Sequence, residues 1–325
     1  MKKLGLLLSS LALCTAAQAA DLTVYTYDSF NSDWGPGPKL EAAFEKQCDC
    51  DIEFVTVDDG VSILNRLRIE GAKSKADVIV GIDDALMEIT RDMGLVAEHG
   101  QSLDDLEPSL NWTDTEFAPV DYGFFSFVYD SSKIETPVTS LKELVESDAK
   151  VIYQDPRTST VGQGLLLWMK SVYGDKADEA WKQLAQNTVT VTKGWSEAYS
   201  MFLKGESDYV LSYSTSPAYH IVAEEKTQYK AAKFSEGHTT QVEVAAVLKN
   251  SKNQALGKKF VGFLLSEEAQ KILPVTNWML PTRAGIELPE AFGTLIQPKR
   301  IGFTPAEVAE GRRDWVKEWR TSAAK

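Results

Sequence analysis

Short β-branched runs alternate with helix-length segments through the N-terminal third of the chain, and that alternation excludes most folds. Leu22–Tyr27 reads as a strand. A turn rich in breakers, Asp33-Trp34-Gly35-Pro36-Gly37-Pro38, separates it from a helix over 40–47. A second strand, Ile52–Val57, leads through Asp58-Asp59-Gly60 into a helix over 61–71, and a third, 77–81, precedes a helix over 84–92. Strands separated by such helices predict βαβ units and a mainly parallel sheet.

The stretch 117–130, FAPVDYGFFSFVYD, breaks this rhythm: it is long, aromatic and extended, with no helix inside it. It is expected to carry the chain from one domain into another. A second βα series follows. It comprises a strand at Val151–Gln154, a loop from Asp155 to Thr160, a helix over 164–173 and a strand over 189–192. A helix opened by Trp195 and Ser196 then ends near Gly205, before a strand over 209–212. The extended run 241–248 crosses back, and helices over 256–265 and 267–273 return to the first domain. The last helix has a clear start, with Thr304 as N-cap, Pro305 in the first turn and Glu307 closing a capping box. Trp315 and Trp319, four apart, share the face expected to pack on the body. Two domains joined by two crossings make a hinged clam that closes on a ligand in its cleft.

Residues 1–20 read as an export signal: Lys2 and Lys3, an apolar stretch from Leu4 to Cys14, and a small-residue cleavage site at Ala17-Gln18-Ala19. The expected product is periplasmic and soluble. Loss of the leader leaves about 305 residues, enough for two domains. The formal charge of the whole chain is −13, and losing Lys2 and Lys3 makes it −15. Such an acidic chain is a poor partner for nucleic acid or anionic lipid, and it attracts a small cation weakly. Cys48 and Cys50, separated by Asp49, are close enough for a tight local disulfide in an oxidising compartment; redox or metal roles are the alternatives.

No catalytic constellation emerges. Gly194-Trp195-Ser196-Glu197-Ala198 lacks the last glycine of a nucleophile elbow, and His99, His220 and His238 fall at no triad or metal spacing. Binding features are sharper. Asp59-Gly60 and Ser159-Thr160 each stand between a strand and a helix, where backbone N–H groups suit an anion or a cap equally well. Trp195, Tyr213, Ser214, Thr215, Ser216 and Tyr219 cluster at a strand-to-helix corner and a strand end, where open α/β sheets bind ligands. Tyr27 ends the first strand and points to the same cleft, and Trp278 follows a helix end on a loop.

The runs LTVYTYDSFNSDWGPGP (22–38), DDGVSILNRLR (58–68), VIYQDPRTSTVGQGLLLW (151–168), VTVTKGWSEAY (189–199) and LSYSTSPAYH (211–220), with FSEGH (234–238) and NWM (277–279), carry a resemblance over the whole mature chain. It resembles the thiamine-binding periplasmic proteins of bacteria, the substrate-binding components of ABC importers for thiamine and its phosphates. The resemblance implies an α/β, two-domain periplasmic-binding-protein fold (type II). Each domain would be a mainly parallel sheet flanked by helices: 21–120 plus 241–282, and 121–240, with 283–325 a helical segment packed on the body. It implies that Asp59, Gly60, Ser159 and Thr160 hold the phosphate end of the ligand and that Trp195, Tyr213, Ser214, Thr215 and Ser216 line the cleft. Tyr219 and Trp278 would sandwich the aminopyrimidine, with Tyr27 close by.

The implied ligand is thiamine, thiamine monophosphate or thiamine diphosphate. The implied partners are an inner-membrane ABC permease and its ATPase, with the binding protein a monomer that needs no cofactor or metal. Val161 departs from the pattern, which has proline there. Arg157 and Lys193 are expected near a diphosphate. The alternatives are a protein of the same fold for a polyamine or ferric iron, or a thiamine-cleaving transferase with a nucleophilic cysteine. The five residues between Tyr213 and Tyr219 argue against iron, and the placement of Cys48 and Cys50 argues against the transferase.

Overall fold

A computed structural model describes residues 20–323. The expected export signal, residues 1–20, therefore lies, Ala20 apart, outside the described residues. The chain runs through β1 (Leu22–Tyr27), α1 (Gly37–Cys48), β2 (Ile52–Val57), α2 (Gly60–Glu70), β3 (Val78–Asp83), α3 (Met87–Arg91), the short β4 (Val96–Ala97) and the long β5 (Ala118–Asp130). The second series comprises α4 (Leu141–Glu146), β6 (Val151–Gln154), α5 (Thr160–Tyr173), α6 (Ala177–Asn187), β7 (Thr188–Thr192), α7 (Trp195–Leu203), β8 (Tyr209–Tyr213), α8 (Ser216–Glu224) and β9 (Tyr229–Ala231). Then follow β10 (Thr240–Leu248), α9 (Gln254–Leu264), α10 (Glu267–Ile272), β11 (Leu280–Pro281) and α11 (Pro305–Ser322).

The strands are ordered β2-β1-β3-β10-β5-β8-β6-β7. At each end three strands run parallel, β2-β1-β3 and β8-β6-β7. Between them, β10 and β5 are antiparallel to each other and to their outer neighbours β3 and β8. The expected parallel sheets are thus mixed where the chain crosses. A crossing strand joins each lobe without the βα connection that makes neighbours parallel. Along β5, residues 118–124 pair with β10 and residues 125–129 with β8, so one strand belongs to both lobes.

Burial follows the same logic. Every residue of β3 is buried, as expected for a central strand covered on both faces. One core gathers Val24, Phe44, Val78, Val247 and Phe260, and another gathers Phe127, Tyr153, Trp168, Trp181 and Leu211. α5 is buried from Thr160 to Met169 and lies so close to β5 that a Cβ on Gly164 would stand 2.2 Å from the Phe125 ring. Cys48 and Cys50 form the local disulfide, with Asp49 in the left-handed region (φ 52°) ending α1.

The capping box on α11 is present: Thr304 Oγ1 accepts from the Glu307 amide at 3.3 Å, and the Glu307 carboxylate accepts from the Thr304 amide at 2.7 Å. Thr304→Ala is expected to cost about 1 kcal/mol, read as a drop of about 2 °C in Tm. α11 touches both lobes. Trp319 donates to the Tyr153 hydroxyl at 3.2 Å, while Val308 packs between Ala85 of the first lobe and Leu167 of the second.

Candidate ligand-binding site

The carboxyl ends of the parallel strands from both lobes converge on one cavity of about 480 Å³. That size suits a small organic molecule. Its position is where an open α/β sheet binds ligands, because the helix starts there present free N–H groups.

Asp59 occupies the meeting point of three helix starts. As N-cap of α2 its carboxylate accepts from the Gly60 amide at 2.6 Å. It also accepts from the Thr160 amide at the start of α5 at 3.3 Å, and from the Trp195 amide at the start of α7 at 3.1 Å. The N–H groups expected to hold a phosphate are therefore engaged by a carboxylate of the chain itself. Burial pushes the Asp59 carboxyl up to about 6, against the pull of these donors. Gly60 and Ser159 stand behind the surface. A Cβ on Gly60 would meet the Gly81 carbonyl at 2.2 Å and the Thr160 methyl at 2.5 Å, so only glycine lets the lobes approach there. The Ser159 hydroxyl caps α5 by accepting from the Gly162 amide at 3.3 Å.

Aromatic rings make the walls. Trp195 stacks on Tyr199 at 4.8 Å and donates its indole N–H to the Ser212 hydroxyl at 2.7 Å. Ser212 in turn pairs with Ser216 at 2.7 Å, locking the Trp195 ring through two hydroxyls. Tyr213 stacks on Phe125 at 5.3 Å, and its hydroxyl donates to Gln241 at 3.1 Å. Tyr219 and Trp278 meet edge to face, with centroids 5.5 Å apart and planes at 68°. They touch rather than stand as parallel plates, so a flat ring fits between them only after one turns aside. Trp278 holds a left-handed backbone (φ 58°), uncommon for a bulky side chain and a mark of local constraint. Behind Tyr219, the His220 ring bridges the Tyr199 hydroxyl (2.8 Å) and the Glu224 carboxylate (2.7 Å), which fixes α8.

The floor is acidic. Glu243 on β10 accepts from the Tyr27 hydroxyl at 2.8 Å. Behind it, Asp121 on β5, which does not itself line the cavity, accepts from the Asn277 amide at 2.7 Å, and Asn277 also donates to the Tyr27 oxygen at 3.2 Å. Burial, then the neighbouring Asp121, holds the Glu243 carboxyl well above the ordinary range, and burial pushes Asp121 up to about 7. Asp59 and Asp121 both lie above the free value of 3.8, so the folded chain binds more protons than the unfolded one from about pH 4 to 7. Their contribution is full below that window and lost as pH rises through it. For Asp59 it amounts to at most about 3 kcal/mol. Thermal unfolding is expected at a higher Tm at about pH 5.5 than at about 7.5, and Asp121→Asn should remove part of that difference.

Residues 35–271 match the family described as Bacterial extracellular solute-binding protein. The chain belongs to that family. This solute-binding protein is 55% identical over 97% of its length, and 98% of the relative's, to "Thiamine-binding periplasmic protein" of Escherichia coli (strain K12). It is 45% identical to the protein of the same name from Haemophilus influenzae over the full length of both. The solved structure "Periplasmic thiamin binding protein" superposes with a TM-score of 0.92 at 54% identity, covering 94% of this chain and 96% of that one. The fold is thus the two-domain α/β clam of the periplasmic binding proteins, and these close relatives are binding proteins, not enzymes.

Of the residues singled out in the sequence, Tyr27, Asp59, Thr160, Trp195, Tyr213, Ser216, Tyr219 and Trp278 line the cavity of this solute-binding protein. Gly60, Ser159, Ser214 and Thr215 do not; they are buried directly behind it. Ser214 donates its amide to the Phe124 carbonyl at 2.8 Å, and Thr215 faces the Met279 sulfur at 3.9 Å. Arg157 is placed elsewhere: its guanidinium pairs with Asp155 at 2.5 Å and lies over Trp319. Lys193, for its part, offers a carbonyl to Thr158 at 2.6 Å. Val161 lines the cavity from the first turn of α5, which forms without the proline. The disulfide at the end of α1 is not among the lining residues. Glu243, Gln241, Asn277 and Trp34 line the cavity without having been expected. A signal existed for Glu243, the single acid of the run 241–248, and for Asp121, the one acid of the run 117–130 apart from its terminal Asp130.

Proposed function

We propose that this chain captures thiamine and its phosphate esters in the periplasm and hands them to an inner-membrane ABC permease driven by its ATPase. The observation that carries the reading is the cavity itself: aromatic walls over a carboxylate floor, open to a flat molecule with a fixed positive charge. Trp195, Tyr213, Tyr219 and Trp278 supply ring faces, which attract both a pyrimidine and a thiazolium cation. The full-length likeness to proteins named for thiamine supports the same ligand. An N-terminal export signal, a monomeric state and a lobe division at 21–120 plus 241–282 and 121–240 belong to this reading. The last is supported by the change of partner along β5.

Calorimetric titration of the refolded protein with thiamine and its two phosphates tests the reading, refolding being needed to strip ligand carried from the cell. One-to-one binding is the expected result. No heat with any of the three would end it.

A further inference from the structure

We propose that Glu243 and Asp121 form a counter-ion seat at the cavity floor, where the positive charge of the ligand replaces a proton. The proposal rests on the reading of the ligand as thiamine. Glu243 and Asp121 face each other across the β10–β5 ladder and are 2% and 0% exposed. Each spends one oxygen inside the protein: Glu243 Oε2 on Tyr27 and Asp121 Oδ2 on Asn277. The other two oxygens, Glu243 Oε1 and Asp121 Oδ1, are buried with no hydrogen-bond partner. Glu243 lines the cavity directly.

The surroundings sharpen the imbalance. Asp59 at the head of α2 and Asp83 at the end of β3 add to Asp121 in raising the cost of charge on Glu243, and the hydrogen bond from Tyr27 on β1 offsets only part of it; Tyr213 from β8 lies in the same acidic field. Asp84, beyond β3, accepts from the Val242 amide at 3.0 Å and faces Arg300 at 3.7 Å, and Arg312 counters Asp83. These cations serve the neighbouring acids. Lys39 is the one cationic side chain among the described residues lining the cavity.

Two buried carboxyls this close do not both ionise without a counter-charge, so the pair retains a proton. A fixed cation arriving over Glu243 supplies that charge. The carboxyl O–H then gives its proton to solvent buffer, and the ligand's charge takes its place, with no other bond made or broken. Protons retained by these acids favour the fold only at low pH, and at neutral pH an apolar pair of similar volume would pack at lower cost. A ligand with permanent charge gives the arrangement a use.

The test is calorimetry of the mature protein with thiamine at about pH 7, in phosphate and in Tris, whose ionisation enthalpies differ. The dependence of heat on buffer counts protons. Wild type should release about 0.5–1 proton per thiamine bound, with affinity rising about tenfold from pH 5.5 to 7.5. The uncharged aminopyrimidine half of thiamine should release none. Glu243→Gln should abolish the release and weaken thiamine about 30-fold, with Asp121→Asn reducing both. Tight thiamine binding with a proton count of zero in the wild type would overturn the seat and leave the ligand reading standing; this arm needs no variant to fold. Absence of any thiamine binding by the wild type would overturn both together.

Discussion

Trp278→Ala is expected to weaken thiamine binding by about 50-fold. The indole is half-buried, lines the cavity and meets the Tyr219 ring at 5.5 Å. Removing it takes away a stacking face for the pyrimidine and part of the aromatic field around the cation. Such faces are worth about 1–3 kcal/mol each. Tyr219→Ala should cost less, since the Tyr219 hydroxyl is turned to Glu224 and its ring edge meets Trp278. Trp278→Phe should recover much of the loss, because a ring persists. Calorimetry on the three variants, with Tm as a control for folding, checks the order. Equal affinity in wild type and Trp278→Ala would place the ring somewhere else in the cavity.

Asp59→Asn should shift selectivity toward the phosphate esters, raising the affinity for thiamine diphosphate relative to thiamine by about tenfold. The carboxylate holds the Gly60, Thr160 and Trp195 amides at 2.6–3.3 Å. A phosphate seeking the same donors brings about −1.5 to −2 charges against one already seated. Asparagine keeps the size and can still accept one of these bonds, but it lifts the repulsion. Competition between thiamine and the diphosphate in each variant reads the ratio directly. A fall in diphosphate affinity with thiamine unchanged would mean instead that Asp59 holds the phosphate through its own proton. That outcome would fit a carboxyl that burial has raised to about 6.

Features that depend on neighbours in sequence were legible. The βαβ alternation, the cap at Asp59 and the capping box at Thr304 all arise within a few residues and are present; on α5 the cap is Ser159, and Thr160 is already the first helical residue, four positions before the expected start at Gly164. α8 was not seen, because Ser216-Pro217 reads equally as a loop and as a first helical turn, the latter being what forms. α4 and α6 are further helices beyond those expected from the sequence. The site itself depends on chain-distant meetings. Asp59 reaches Thr160 and Trp195 across 101 and 136 residues, and no local pattern encodes that one carboxylate caps three helices. Glu243 and Asp121 were hidden by abundance. In a chain with 47 acids, a single one stands out only when its strand is known to be buried.

The last helix gives the clam a rear strut. Val308 is wedged between Ala85 and Leu167, and the Arg312 guanidinium donates to Gln163 and to the Pro156 carbonyl at 2.9 Å. Arg312 ties α11 to the second lobe, and Val308 spans the two, so any parting of the lobes must change the packing of Val308 against Ala85, on a surface apart from the cavity lining. Apparent affinity scales with the fraction of molecules in the competent shape. Substitutions along α11 can therefore tune how readily cargo is taken up and surrendered while every contact in the cavity stays the same.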